Sequence, residues 1–133
     1  MLLDTHVLLW LAAGVELSEE IRQQVGRARD AEGVFVSAVS VWEVGNLVHK
    51  GKVRIGMPMR GWLASLRTMD GLREVDLSSD IAVDAARLPE PFHHDPADRF
   101  LVSTARNLDI PLLTRDPRIL QYADQGHVRA MSC

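Results

Sequence analysis

Apolar and polar positions alternate along this chain between short apolar runs, as in buried strands, and the spacing of amphipathic helices. The runs predict four strands and a candidate last one, in "MLL", "GVFVSA", "LREVDL", "IPLLT" and "HVRAM". Helical spacing fills the intervals, in "THVLLWLAA" up to Gly14, "LSEEIRQQVGRARD", "SVWEVGNLVHKGKV", "MPMRGWLASLRTM", "SSDIAVDAARL", "DPADRFLVSTARN" and a short helix from Pro117. Strands that alternate with helices, without a tight hairpin signal, predict a three-layer α/β/α fold with a central, mainly parallel sheet.

Polar residues mark the predicted helix starts. Asp95 is expected to be an N-cap, with Pro96 as the first helical residue and Asp98 in the first turn, where an acid favours the positive helix end. Ser40 and Glu43 have the S-x-x-E spacing of a capping box. Capping alone therefore explains each of these acids.

The composition indicates one ordinary packed domain over residues 1–133. The chain is 47% hydrophobic and 25% charged, which excludes disordered and disulfide-rich classes. Its only cysteine, Cys133, excludes an internal disulfide and fits a reducing compartment, so we expect a cytoplasmic protein. The apolar runs are too short to span a bilayer, and the start lacks the positive region of a signal peptide, so we expect neither membrane insertion nor export.

A net charge of −3 excludes a surface that attracts nucleic acid over its whole area. Any contact with a nucleic acid must therefore be local. The candidate basic positions follow one helix or surround the later motifs, and are Lys50, Lys52, Arg54, Arg99, Arg106, Arg115 and Arg118.

Acidic residues follow the predicted strands. Asp4 ends the first strand and Asp116 follows "IPLLTR", while Glu43 lies near the start of the helix after "GVFVSA". Asp95 and Asp98 share one helix face. The carboxyl ends of parallel strands lie along one edge, beside the crevice where such folds bind ligands, so these acids are predicted to form one cluster.

A cluster of this kind needs a cation or protons. Two unit charges about 4 Å apart repel by roughly 4 kcal/mol at an effective dielectric near 20. The candidate ligands are hard carboxylate oxygens, which favour Mg²⁺ or Mn²⁺, an ion suited to phosphodiester hydrolysis. His93 and His94 are adjacent and face apart, so we interpret them as solvated loop residues.

No side-chain nucleophile is needed for such chemistry. The chain has no Walker A loop, no G-x-G-x-x-G and no G-x-S-x-G elbow. Ser103 and Thr104 lie inside a predicted helix, where we expect packing or hydrogen bonds to the helix backbone.

Three segments, in order and over nearly the whole chain, resemble a known family: "LLDTHVLLW", "SAVSVWEVGNLVHKGKV" and "HHDPADRFLVSTARNLDIPLLTRD". They are similar to a PIN domain of the VapC toxin type. The resemblance implies a Mg²⁺- or Mn²⁺-dependent endoribonuclease that acts on RNA, forms a homodimer and is silenced by a VapB-like antitoxin.

The resemblance also implies roles for individual residues. By the family's motifs the catalytic, metal-binding acids are Asp4, Glu43, Asp98 and Asp116, with Asp95 as a further metal ligand. Arg99 follows from the D-R of the motif and is expected to contact phosphate, brace a carboxylate or form a plain salt bridge. The other candidates for substrate binding or for hydrogen bonds around the acids are Thr5, Ser37 and Arg115, with simple capping as the alternative for Thr5 and Ser37.

Three tryptophans, Trp10, Trp42 and Trp62, are expected in the core or at an interface rather than stacked on bases. The first helix and the segments around Trp42 and Trp62 offer apolar surface for an amphipathic partner helix.

Two other functions suit an acidic crevice. A receiver-like signalling domain would have paired acids after its first strand and a late lysine, but Thr5 follows Asp4 and no lysine follows Lys52. A degenerate, non-catalytic PIN fold would bind without cleaving, and the intact set of acids argues against it.

Overall fold

The computed structural model describes residues 1–13 and 18–133. The predicted helix end at Gly14 and the apolar Leu17 lie outside this part of the chain. The described strands are β1 (Leu2–Leu3), β2 (Val34–Ser37), β3 (Leu72–Val75), β4 (Leu112–Thr114) and β5 (Ala130–Ser132). The described helices are α1 (Thr5–Ala12), α2 (Glu19–Ala31), α3 (Ala38–His49), α4 (Met59–Arg67), α5 (Ser79–Ala86), α6 (Pro96–Leu108) and α7 (Pro117–Asp124).

The five strands form one sheet in the order β3-β2-β1-β4-β5, and all neighbours are parallel. The short β1 lies at the centre, where Leu2 pairs with Phe35 on one side and Leu112 on the other. The chain order reverses between β1 and β4. A doubly wound sheet opens a crevice at the carboxyl ends of its strands at such a point.

Successive residues of the central strands face opposite sides of the sheet. Leu3 packs with Val36, Leu113 and residues of α1 to α4, whereas Leu2 packs with Leu112 and residues of α6 and α7. Two cores separated by the sheet confirm the predicted three-layer α/β/α architecture. The sheet carries no antiparallel strand among the described residues.

The predicted capping box in α3 is wrong. The helix begins at Ala38, directly after β2, and its N-cap is Ser37, whose Oγ accepts a 3.2 Å hydrogen bond from the N–H of Val39. Ser40 therefore lies inside the first turn, fully buried and without a hydrogen-bond partner for its Oγ. The strand passes into the helix without a loop, so Ser37 rather than Ser40 caps the helix. Glu43 is therefore not part of a capping box.

Two element boundaries also differ from the prediction. The third helix ends at His49, where "HKGKV" was predicted to continue it, and Gly51 follows with a φ of 67° that a helix does not use. The last strand covers Ala130–Ser132 rather than "HVRAM", because its register is set by pairing of Ala130 with Leu112. Local sequence does not encode such a register.

Candidate active site

Asp4 lies buried at the carboxyl end of the central strand, with 5% of its surface exposed. It is the N-cap residue of α1, but its side chain makes no capping hydrogen bond. Instead its Oδ2 accepts a 2.5 Å hydrogen bond from Thr114 Oγ1 at the end of β4. Capping therefore does not explain this acid, whose carboxylate is held at the crevice.

Glu43 reaches the same place from α3. Its Oε2 accepts a 2.5 Å hydrogen bond from Thr5 Oγ1, the first residue of α1. Burial raises the pKa of the Glu43 carboxyl; the bond from Thr5 opposes this, and the negative charges of Asp4 and Asp95 add to it. The negative charges of Asp4 and Asp95 thus both act on the Glu43 carboxyl.

Asp98 is the most perturbed acid of the group. Its side chain is 15% exposed, and burial raises its pKa to about 7, with further contributions from Asp95, Asp116 and Asp4. Its Oδ2 lies 3.2 Å from Nη2 of Arg118. Near neutral pH this carboxyl is therefore partly protonated, because burial and, to a smaller extent, the neighbouring carboxylates disfavour its charge.

Asp116 is the N-cap of α7. Its Oδ1 accepts a 2.7 Å hydrogen bond from the N–H of Arg118, and its own N–H donates to Thr114 Oγ1 at 2.9 Å. The side-chain hydrogen bonds from Arg118 hold the pKa of Asp116 below its ordinary value. Thr114 thus connects Asp116 to Asp4 through one hydroxyl.

Asp95 caps α6 as predicted. Its Oδ1 accepts from the N–H groups of Ala97 and Asp98, at 3.0 and 3.4 Å, and Pro96 is the first helical residue. Asp95 is exposed. Its charge still raises the pKa of Asp98 and of Glu43, so it stands at the edge of the cluster.

Hydrogen bonds link the carboxylates at the edge where the strand order reverses. The hydroxyl of Thr114 joins Asp4 to Asp116, and the guanidinium of Arg118 joins Asp98 to Asp116. Glu43 is held to the start of α1 by Thr5. No three His, Cys, Asp or Glu side chains within residues 1–13 and 18–133 are grouped as a ready metal site. The donors are nevertheless all hard oxygens, and burial, together with the smaller effect of neighbouring negative charges, raises the pKa of Asp98 and Glu43. This chemistry fits Mg²⁺ or Mn²⁺, while a guanidinium takes up oxygens of Asp98 and Asp116.

Arg99 makes none of the predicted contacts with a carboxylate. Its Nε donates to the carbonyl of Ala85 at 2.8 Å, and its Nη1 donates to the carbonyls of Phe92 and His93. The guanidinium therefore fastens the loop before α6 to the end of α5. This loop carries the N-cap Asp95.

The other predicted residues divide between support and surface. Thr5 orients Glu43, whereas Ser37 only caps α3. Arg115 is exposed; its Nε donates to the carbonyl of Cys133 and its guanidinium lies 4.5 Å from the ring centre of Trp10. The hydroxyl of Thr104 donates to the carbonyl of Phe100 in its own helix, as predicted, whereas that of Ser103 donates to the carbonyl of Ile81 in α5 and joins the two helices.

His93 does not fit its interpretation as a solvated residue, although His94 is exposed. The side chain of His93 is 19% exposed, and its Nε2 lies 3.4 Å from Oδ2 of Asp98 without a hydrogen-bond partner. Burial, followed by the charge of Arg118, lowers its pKa. The imidazole packs on Phe92, with ring centres 4.3 Å apart.

Sequence reasoning missed Thr114 and the contacts of Arg118. Thr114 sits in "LLTRD", and a buried hydroxyl at a strand end two residues before an acid is the only signal that marks it. Arg118 was named only as a basic position. Its contact with Asp98 spans 20 residues of sequence, which local patterns do not reveal.

The sequence matches the family model described as PIN domain over residues 1–125. It is 32% identical over 123 residues to Ribonuclease VapC22 of Mycobacterium tuberculosis (strain ATCC 25618 / H37Rv), a span of 92% of this chain and 91% of that protein. These two matches identify the family.

Solved structures share the fold. VapBC2 from Rickettsia felis, bound to a DNA fragment from its promoter, aligns with a TM-score of 0.73 and 12% identity over 98% of this chain and 96% of that chain. DNA-bound VapBC from Salmonella typhimurium aligns with a TM-score of 0.66 and 15% identity over 98% and 96%. No helix in the described part of the chain combines the length and apolar character needed to cross a membrane.

Proposed function

Because the chain belongs to the PIN-domain family, we propose that it is a Mg²⁺- or Mn²⁺-dependent endoribonuclease, the toxin of a VapBC-type pair. The observation that carries the proposal is the position of Asp4, Glu43, Asp98 and Asp116. These carboxylates come from four segments at the carboxyl ends of the strands, where Thr114 joins Asp4 to Asp116 and Arg118 joins Asp116 to Asp98.

The catalytic acids would hold the cation, with Asp95 as a further ligand. Bound there, Mg²⁺ or Mn²⁺ supplies charge neutralisation of the phosphodiester and a water of lowered pKa. Thr114 and Thr5 keep Asp4 and Glu43 in place by short hydrogen bonds.

A VapB-like antitoxin is the proposed partner. An apolar cleft of about 400 Å³ lies between α1 and α4, lined by residues that include Leu9, Trp10, Ile55 and Trp62. It supports the predicted use of the first helix as apolar surface for a partner helix, whereas Trp62 is only 4% exposed and belongs to the core, the other position predicted for the tryptophans. Trp42 lines a separate recess, so it does not form one surface with Trp10 and Trp62.

A homodimer is the proposed assembly. Trp42 is 61% exposed and lines an apolar recess of about 330 Å³ with Val39, Leu77 and Phe100. An exposed aromatic beside an apolar recess suits a protein interface. We place the chain in the cytoplasm, where an RNA substrate is available.

Cleavage of RNA by the purified chain tests the function. Metal-stripped protein is mixed with a labelled single-stranded RNA, with Mg²⁺, with Mn²⁺ or with EDTA, and the product ends are mapped. Asp98→Asn keeps the side-chain shape and removes its charge. Asp124→Asn, exposed at the far end of α7, is the matched control.

We expect metal-dependent cuts within the RNA by the parent and Asp124→Asn, and a loss of about 10²-fold or more in Asp98→Asn. A folded parent that binds Mn²⁺ but cuts no RNA of varied sequence would support the non-catalytic PIN reading instead. Equal cleavage by Asp98→Asn and the parent would refute the assignment of this site.

A further inference from the structure

Arg118 places a cation inside the acidic cluster. It is the second residue of α7, and its guanidinium engages both oxygens of Asp116, with Nε 3.1 Å from Oδ1 and Nη2 2.6 Å from Oδ2. The same Nη2 lies 3.2 Å from Oδ2 of Asp98. One side chain thus bridges two of the proposed metal ligands.

Groups from several elements face this guanidinium. Asp116 shares its helix end, Asp98 comes from α6, and Asp95 contributes a favourable charge from the cap of α6. His93, from the loop before α6, has its Nε2 3.4 Å from the same Oδ2 of Asp98. The surroundings of Arg118 are therefore mainly acidic, and the oxygens that a metal would use are already hydrogen bonded.

The side chain of Arg118 has room to leave. It is 55% exposed and lines an open cleft of about 450 Å³ together with Phe92, His94 and Gln121. Its backbone N–H, which donates to Asp116 Oδ1, need not move with it. Rotation into the cleft would free carboxylate oxygens without breaking the cap of α7.

We propose that Arg118 is an internal counter-ion, which holds Asp98 and Asp116 until a divalent cation displaces it, and so sets the metal affinity of the site. The inference rests on the proposed metal site and adds its regulation. A guanidinium matches carboxylates with parallel hydrogen bonds but carries one charge, whereas the metal carries two. The Arg118 side chain is 55% exposed, so solvent screens its end of these ion pairs and the exchange is readily reversible.

Metal binding without RNA tests the competition. Mn²⁺ affinity is measured by titration calorimetry on metal-stripped full-length chain, for the parent, Arg118→Gln and Arg118→Lys. Lysine keeps the charge but cannot engage two oxygens of one carboxylate in parallel. Arg22→Gln is the matched control, because Arg22 is 54% exposed and pairs with Glu19 on α2.

We expect Arg118→Gln to bind Mn²⁺ about three- to thirtyfold more tightly than the parent, Arg118→Lys to lie between them, and Arg22→Gln to equal the parent. Guanidinium NMR supplies a second readout. The Nε–H signal that is absent in Arg118→Gln should shift when Mg²⁺ is added to the parent. Melting curves in EDTA check that each variant is folded.

Unchanged or weaker Mn²⁺ binding in folded Arg118→Gln, or an Arg118 signal that ignores saturating Mg²⁺, would overturn the inference. These outcomes leave RNA cleavage untouched, so the proposed function stands if Asp98→Asn is still inactive. Conversely, if the Mn²⁺ affinities change as expected but the parent cuts no RNA, the result would support Arg118 as the internal counter-ion and refute the proposed nuclease activity.

Discussion

Thr114 donates a 2.5 Å hydrogen bond to Asp4 across 110 residues of sequence and joins the ends of two neighbouring parallel strands. The same hydroxyl accepts the N–H of Asp116. Thr114 is fully buried, so its oxygen has no water to replace these partners. One hydroxyl therefore fixes the spacing between two acids of the candidate site.

Replacing Thr114 with valine removes this hydroxyl at nearly constant volume. Asp4 then loses its donor and the N–H of Asp116 its acceptor, which costs about 1–3 kcal/mol for each buried group left unsatisfied. We expect a lower melting temperature and a loss of RNA cleavage of about tenfold or more. Thr114→Ser restores the hydroxyl and should recover most of both, whereas equal activity of the valine variant and the parent would mean that the hydroxyl does not position the acids.

A substitution at Arg99 can distinguish a residue that binds substrate from one that supports the fold. Its three bonds to backbone carbonyls tie α5 to the loop before α6. We expect Arg99→Gln to lower the free energy of unfolding by about 2 kcal/mol or more, because hydrogen bonds from charged groups are among the stronger ones. In the fraction that is folded, KM for RNA should stay within about threefold of the parent. If Arg99→Gln is as stable as the parent but its KM for RNA is greatly raised, the result would support the phosphate contact of Arg99 predicted from the motif.

The acids of the strand ends were predictable, as was a hydrogen bond from Thr5 beside them, but the pairing of Thr5 with Glu43 and the roles of Thr114 and Arg118 were not. Asp4 and Asp116 each end an apolar run, and parallel topology alone brings them to one edge. The capping-box interpretation of Glu43 failed because Ser37 was a second possible cap three residues earlier, and short-range spacing does not choose between them. The bonds of Thr114, Thr5 and Arg99 join residues brought together only by the fold.

The pKa of Asp98 predicts how stability depends on pH. The value is about 7 in the folded chain and near 3.8 without the fold, so between these values the folded state holds a proton that the unfolded state lacks. The stabilisation from this proton is complete below the lower value and is lost as pH rises toward 7.

Asp98→Asn does not titrate and isolates this effect. Measured in EDTA, the melting temperature of Asp98→Asn relative to the parent should rise by about 3 °C or more between about pH 5 and about pH 8. Asp124→Asn serves as the control and should show no such trend. A constant difference between Asp98→Asn and the parent across this range would contradict a raised pKa.

Divalent cations should stabilise the folded chain, since an ion that binds only the native state raises the free energy of unfolding by mass action. At about one hundred times the dissociation constant the gain is about 2.7 kcal/mol. Neutralising Asp4, Glu43, Asp98 and Asp116 together should abolish the shift in melting temperature caused by Mg²⁺ or Mn²⁺. If the fourfold variant is folded and still responds, the metal binds elsewhere.

The proposed antitoxin partner is tested by expressing the chain in cells. An acidic crevice attracts cationic side chains, and an arginine of a partner can form two parallel hydrogen bonds with a carboxylate and so compete with the metal. The cleft lined by Trp10 and Trp62 lies against α1, the helix that starts directly after Asp4, so we expect one partner to contact both the apolar cleft and the acidic crevice. We therefore expect expression of the chain alone to arrest growth, and co-expression with the neighbouring reading frame to restore it with a co-purifying partner.

Trp10→Glu places a charge in the apolar cleft and should weaken this co-purification, while Trp42→Glu, on the other apolar recess, should preserve it. Normal growth with the chain alone, in cells that contain folded and RNA-cleaving protein, would contradict a toxin, and equal capture of the partner by Trp10→Glu would place the docking surface elsewhere.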